Sequence, residues 1–240
     1  LEECLKFFAV ANPAQWEKVY LESLAGANFK KSEVADTKLG AMSAWLRIGE
    51  IELNKRKLNS YDKEKFKSNL VEIRKLVKSQ TDDFSNTLLE LCSDAGVALV
   101  YSPNISKVPV SGATRWVNGV PLIQITDRYK TNDSFWFTFF HEAGHVLLHG
   151  KKDFFIDEEP YQNDQYTKER EANEFATKWL ISEKVKDYEF EDVTELGIKK
   201  AAYKFETHPA IILGYLQKRK IISYNYCNHL KLKINLLKIL

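Results

Sequence analysis

The strongest chemical signal in the chain is His141-Glu142-Ala143-Gly144-His145. Two histidines four residues apart on a helix lie on one face, one turn from each other, and can share a metal ion. The carboxylate beside the first histidine is then angled to reach a water on that ion rather than the ion itself. This is the HExxH arrangement of two ligands and a general base, and it points to metal-assisted hydrolysis with Zn2+ as cofactor. The competing reading is a chance match whose histidines are satisfied by hydrogen bonds, because this short pattern also occurs in unrelated proteins. The flanks favour the metal. Phe135, Trp136, Phe137, Phe139, Phe140, Val146, Leu147 and Leu148 make the expected helix apolar nearly all round, hence buried. Polar groups in a buried helix need a purpose, since burying them unpaired is costly.

A third ligand is needed. A histidine ten positions after His141 would mark a different zinc class, but position 151 is Lys. His149 lies ~12 Å along a helix axis from His141, too far to share the ion, and reads as a supporting or helix-end histidine. The next helical pattern offers Glu169, Glu171 and Glu174. At ~100° per residue, Ala172, Phe175, Ala176, Trp179 and Leu180 form its apolar face. Glu169 lies on the edge of that face, whereas Glu171 and Glu174 fall on the opposite side with Lys178. Glu169 is therefore the expected third ligand, and Asn173 on the same face can orient a ligand. The alternative for Glu169 is a surface acid near a helix start.

The elements that must position these residues follow from periodicity. Residues 1–95 read as helical, with apolar residues at three- and four-residue spacing, such as Phe7, Phe8 and Val10; Trp16, Val19, Tyr20 and Leu24; and Phe66, Leu70, Ile73 and Leu76. Val97–Tyr101, Ala113–Val117 and Pro121–Thr126 read as strands of a small, mainly antiparallel sheet, with Asn118-Gly119 as a hairpin turn. Thr131-Asn132-Asp133-Ser134 offers caps for a helix running to about Leu148. Residues 151–166 read as a loop beside the cleft. Further helices are expected over Thr167–Ile181, Val193–Phe205 and Pro209–Arg219, and Lys231–Leu240 fits either an amphipathic strand or a helix. Ile198–Leu216 has a helix-turn-helix outline, but its second helix is too apolar to face DNA. The fold class is α+β.

Bulk properties exclude several classes. With 44% hydrophobic and 28% charged residues the 240-residue chain is an ordinary globular one. A net charge of +2 removes a strong electrostatic case for nucleic acid. Cys4, Cys92 and Cys227 are odd in number and widely spaced, which argues against a disulfide framework and for a cytoplasmic location. No apolar run approaches the ~18–20 residues of a membrane span. The first residues lack a secretory pattern and an initiator methionine, and read as a fragment of a longer protein.

Phe137-Thr138-Phe139-Phe140-HEAGH-Val146-Leu147-Leu148-His149, followed by Glu169, Asn173, Phe175 and Ala176, resembles the ImmA/IrrE metallopeptidases. The resemblance extends upstream through Ser111–Trp116 and Leu122–Ile125 and downstream through Trp179–Ile181, covering about residues 95–220. Ser182 departs from the proline often found there. The resemblance implies a gluzincin-like core with His141, His145 and Glu169 as ligands and Glu142 as base. It divides the chain into a helical connector (1–95), a metallopeptidase core (96–225) and a tail (226–240). It also implies a protein substrate, a helix-turn-helix repressor or antitoxin cleaved in stress, mobile-element or toxin–antitoxin regulation. DNA contact would belong to an N-terminal helix-turn-helix domain outside this chain. The alternative is a catalytically silent binding module on the same fold, against which the intact Glu142 argues. Arg115, Tyr161, Tyr166 and His208 are candidates for stabilising an oxyanion, although each taken alone reads better as structural. An edge strand, Leu122–Thr126 or the segment near Ala113, is the expected place for an extended substrate.

Overall fold

The computed structural model describes residues 1–21, 36–80, 83–105, 108, 110–126, 128, 130–151, 155–156, 164–190 and 192–234. Helices α1 (Glu2–Phe8) and α2 (Pro13–Trp16) lead into a π-helical turn (Glu17–Leu21). Then come α3 (Asp36–Leu53), α4 (Lys63–Ser79), α5 (Phe84–Asp94), β1 (Ala98–Ser102), β2 (Gly112–Val117) and β3 (Val120–Thr126). They are followed by α6 (Asn132–Leu148), β4 (Phe155–Ile156), α7 (Asp164–Leu180), α8 (Glu195–Lys204) and α9 (Pro209–Lys218). Leu24, Tyr161, most of the expected loop over 151–166 and the end of the tail (235–240) lie outside the described residues. Among the described residues no helix is long and apolar enough to cross a membrane.

Asn118 and Gly119 have positive φ (51° and 83°), the conformation that a two-residue hairpin turn requires, and they join β2 to β3 in antiparallel register. The sheet order is β1-β3-β2-β4. The sheet is mainly antiparallel, as expected, with one parallel pair: β1 runs parallel to β3, with Leu99 opposite Ile123. The chain between β1 and β2 re-enters the sheet on the far side of β3, an arrangement no local pattern reveals. β3 is consequently interior, so Leu122–Thr126 is not an edge. The Ala113 segment is not a bare edge either, because Ala113 and Thr114 pair with Ile156 and Phe155 of β4.

Successive side chains of a strand face opposite sides, and that parity sorts the sheet into two environments. Ala98, Val100 and Leu122 face α3 with Leu53, and Ala113 packs with Met42, Trp45 and Leu46 of that helix. Leu99, Tyr101, Ile123 and Ile125 face the other way, into the main core of α4, α5, α6, α7 and α9. The α3 side also holds a buried polar network. Gln124 donates from Nε2 to Trp45 O (2.7 Å) and Ser102 Oγ (3.0 Å) and accepts from Arg115 Nη1 (3.0 Å). Arg115 Nη2 donates to Leu46 O and lies 4.0 Å from Glu50. Burial pushes the guanidinium down to about 10 while Glu50 acts against that shift, so it stays charged at neutral pH.

The main core is aromatic around α6, where Phe135, Trp136, Phe139 and Phe140 pack edge-to-face or tilted on one another. The polar residues expected to cap α6 do other work. Thr131 occupies the cap position without a side-chain cap bond. Asn132 Oδ1 accepts from Leu232 N, Lys231 pairs with Asp133 at 2.7 Å, and Thr131 bridges Lys233 antiparallel. After a 3-10 turn over Asn228–Leu230, residues 231–234 are thus tied to the start of α6. Helix α9 buries Ala210, Ile211, Ile212, Leu213 and Leu216, so the second helix of the helix-turn-helix outline is core.

Replacing Gln124 by leucine removes the partners of Trp45 O, Ser102 and a buried guanidinium at once. The expected cost is about 2–4 kcal/mol, read as a lower urea midpoint at unchanged slope. A loss under about 1 kcal/mol would show that the network contributes no more than an ordinary surface contact.

Candidate metal centre

Helix α6 is buried at every position from Thr138 to Leu147. Its closest neighbour is α7, and the approach is set by Gly144. A Cβ on Gly144 would meet Ala172 Cα at 3.3 Å and Phe175 Cδ1 at 3.2 Å, so any side chain there would press the α7 backbone outward by a few tenths of an ångström. Ala172 and Ala176 are fully buried in that contact, as the apolar face predicted. Glu169, three residues before Ala172 on the same face, is 4% exposed and is carried directly over the two histidines.

Three electron-pair donors then face each other. His141 Nε2 and His145 Nε2 are 3.0 Å apart. Glu169 Oε2 lies 3.1 Å from His141 Nε2, and Glu169 Oε1 lies 3.3 Å from His145 Nε2. The carboxylate thus turns one oxygen to each imidazole, and each of these contacts is close to the ~3.3 Å that separates neighbouring ligand atoms in tetrahedral coordination at ~2.0–2.1 Å. The proton on His141 supports the same reading. Asn173 Oδ1 lies 3.1 Å from His141 Nδ1 and can only accept, so it places the proton on Nδ1 and leaves a lone pair on Nε2. A lone pair pointing at a second imidazole nitrogen and a carboxylate is an arrangement that a cation resolves. His141, His145 and Glu169 thus form a buried group able to hold a metal ion.

Glu142 lies outside this triangle. Its side chain turns toward β2, where the Thr114 hydroxyl donates to Glu142 Oε2 at 2.7 Å. Gly112 makes the space: a Cβ there would stand 2.6 Å from Glu142 Oε1 and 2.8 Å from Thr138 Cγ2. The arrangement has three candidate ligands on one side and a carboxylate fixed by a strand hydroxyl beside them.

Residues 92–195 match the family model Peptidase_M78, described as the IrrE N-terminal-like domain. This span is an ImmA/IrrE-family domain. No curated protein matches the chain. The ImmA/IrrE domain runs from Cys92 in α5 to Glu195 at the start of α8 and contains the whole sheet, α6 and α7, a metallopeptidase-like fold. Helices α3, α4 and α9 pack on it from outside the matched span.

The other candidates of the ImmA/IrrE domain scatter. Arg115 is next to Thr114 in β2, and strand parity turns it to the opposite face, into the Gln124 network. His208, beyond the matched span, caps α9, where its Nδ1 accepts from Ala210 N and lies 3.2 Å from Asn132 Nδ2. Tyr166 is 61% exposed. His149 closes the end of α6, and its Nδ1 lies 2.9 Å from His145 Nδ1. Sequence reasoning missed Gly112, Thr114 and the contact of Glu171 with His149 Nε2 at 3.1 Å. A helical wheel of α7 places Glu171 on the outer side correctly but contains nothing about where the end of α6 lies.

The electrostatics of the triangle give a signed pH dependence. Burial, reinforced by the neighbouring histidines and opposed by Glu169, pushes His145 down to about 3 from 6.5. Burial alone would raise Glu169, but the two imidazoles that face it outweigh that and hold it at about 2 instead of 4.5. Both groups therefore bind fewer protons folded than unfolded, and acidification favours unfolding. His145 withdraws stability as pH falls from 6.5 toward 3, and Glu169 as it falls from 4.5 toward 2. With chelator present, the melting temperature should drop between pH 7 and pH 5, and drop less in His145→Gln. Equal slopes in the two proteins would contradict the assignment.

Proposed function

We propose that the chain is a zinc-dependent endopeptidase that cleaves a helix-turn-helix repressor or antitoxin at a specific site. The single observation that carries the catalytic reading is Glu142. A carboxylate 1% exposed, beside a His/His/Glu triangle but not part of it, and oriented by Thr114, has the placement of a general base. A purely structural metal site has no use for it. The substrate class rests on membership of the ImmA/IrrE family.

In this reading His141, His145 and Glu169 would hold the ion. Zinc there supplies Lewis acidity, polarising a scissile carbonyl and lowering the pKa of water. Glu142 accepts the proton of the attacking water and returns it to the leaving amide nitrogen, and the Thr114 bond keeps its carboxylate plane fixed through both transfers. Asn173 holds the His141 ring from behind. Among the described strands β4 is outermost on the β2 side, and an extended peptide would add there by main-chain pairing.

The test combines metal content with proteolysis of a proteome-derived peptide library, read as new N-termini. Wild type should bind one zinc per chain and cut a narrow set of sequences. Glu142→Gln should keep the zinc and lose about 10²–10⁴-fold in rate. Glu169→Ala should lose most of the zinc. Zinc binding with identical cleavage by wild type and Glu142→Gln would sink the enzyme reading.

A further inference from the structure

Each histidine of the triangle is also gripped from behind, and the two grips differ. His141 leans on a side-chain amide, Asn173. His145 leans on another imidazole: His145 Nδ1 and His149 Nδ1 are 2.9 Å apart. His149 in turn reaches a carboxylate, with Nε2 3.1 Å from Glu171 Oε2. The helix end makes this contact possible. His149 leaves the helix with φ −112° and ψ 168° while its N–H still bonds His145 O. The ring therefore folds back alongside His145, with centroids 5.0 Å apart, instead of continuing along the axis. The His149 side chain is 3% exposed, whereas Glu171 is 49% exposed and opens the row to solvent.

Proton counting gives this row a direction. When His145 Nε2 gives its lone pair to a cation, the one proton of the neutral ring is on Nδ1 and points at His149 Nδ1. His149 must accept there, so its own proton is on Nε2 and points at the Glu171 carboxylate, which accepts. Every contact is then one donor facing one acceptor. The opposite tautomer of His149 would set two N–H groups against each other at 2.9 Å and turn a lone pair toward a carboxylate. A histidine that merely closes a helix end carries no such constraint.

We propose that Glu171 and His149 are positioning residues that act in series to hold His145 in its metal-facing tautomer. The inference rests on the metal-centre reading above. It extends the site to a half-exposed carboxylate on the outer side of α7. Partners of this kind behind a ligating histidine fix its ring and raise its basicity, and their loss typically weakens metal binding ~10–100-fold.

The experiment uses the full chain with zinc alone. Imidazole ¹⁵N spectra of the zinc-loaded wild type should show His145 protonated on Nδ1 and His149 on Nε2. Competition against a chelator should give zinc binding ~10–100-fold weaker in His149→Leu and in Glu171→Leu. Glu171→Gln, which keeps an acceptor oxygen, should recover most of the loss. Zinc bound by a wild type whose His149 carries its proton on Nδ1 overturns the proposal while leaving the metal centre intact. Unchanged affinity in both leucine variants does the same. If a variant fails to fold, the wild-type tautomers decide. A wild type that binds no zinc overturns the metal centre, and this inference with it.

Discussion

The centre depends on one close approach, that of α7 to Gly144 of α6. With Ala172 Cα 3.3 Å from the place a Cβ would take, the two helices meet nearly backbone to backbone. That distance puts a carboxylate from one helix over two imidazoles of the other, with all three donor pairs 3.0–3.3 Å apart. In a dry site three such groups repel unless a proton or a cation lies among them. The protein biases the choice against the proton: His145 is depressed by burial, and the proton of His141 is drawn to the side away from the triangle by Asn173. The aromatic packing of α6 makes the bias effective, because it excludes the water that would otherwise screen the groups.

The sheet supplies the second half of the site through strand parity. Thr114 and Arg115 are adjacent in β2 and serve opposite faces. Thr114 orients Glu142 on the α6 side, and Arg115 anchors α3 through Leu46 O and Gln124 on the other. Helices α3 and α6 are thereby tied to neighbouring residues of one strand. The C-terminal segment adds a further tie at the start of α6, through Lys231 and Asp133.

What could be read from sequence divides along the range of the interaction. HEAGH was legible because i and i+4 geometry is local to one helix. Glu169 was legible over Glu171 because the apolar face of α7 must be the buried one, and it is. The hairpin at Asn118-Gly119 was legible because its φ demands are carried by the two residues themselves. The parallel pairing of β1, the interior place of β3 and the role of β4 beside β2 were not, since each depends on which segments meet in space. Arg115 is structural, the better of its two sequence readings. Its type suits an oxyanion, but its neighbour Thr114 occupies the face that looks at the site. Glu171 is the converse: its type and outward position read as solvent-exposed, and only the fold of α6 at His149 brings an imidazole to it.

The most direct test of the account is X-ray absorption at the zinc edge of the zinc-loaded chain. Two imidazole nitrogens and one carboxylate oxygen at ~2.0–2.1 Å, in a four-coordinate shell, are the predicted result. The imidazole signal should fall by half in His145→Gln. A sulfur shell at ~2.3 Å, or a shell of oxygens without imidazole scattering, would contradict the assignment of His141, His145 and Glu169 as the metal centre.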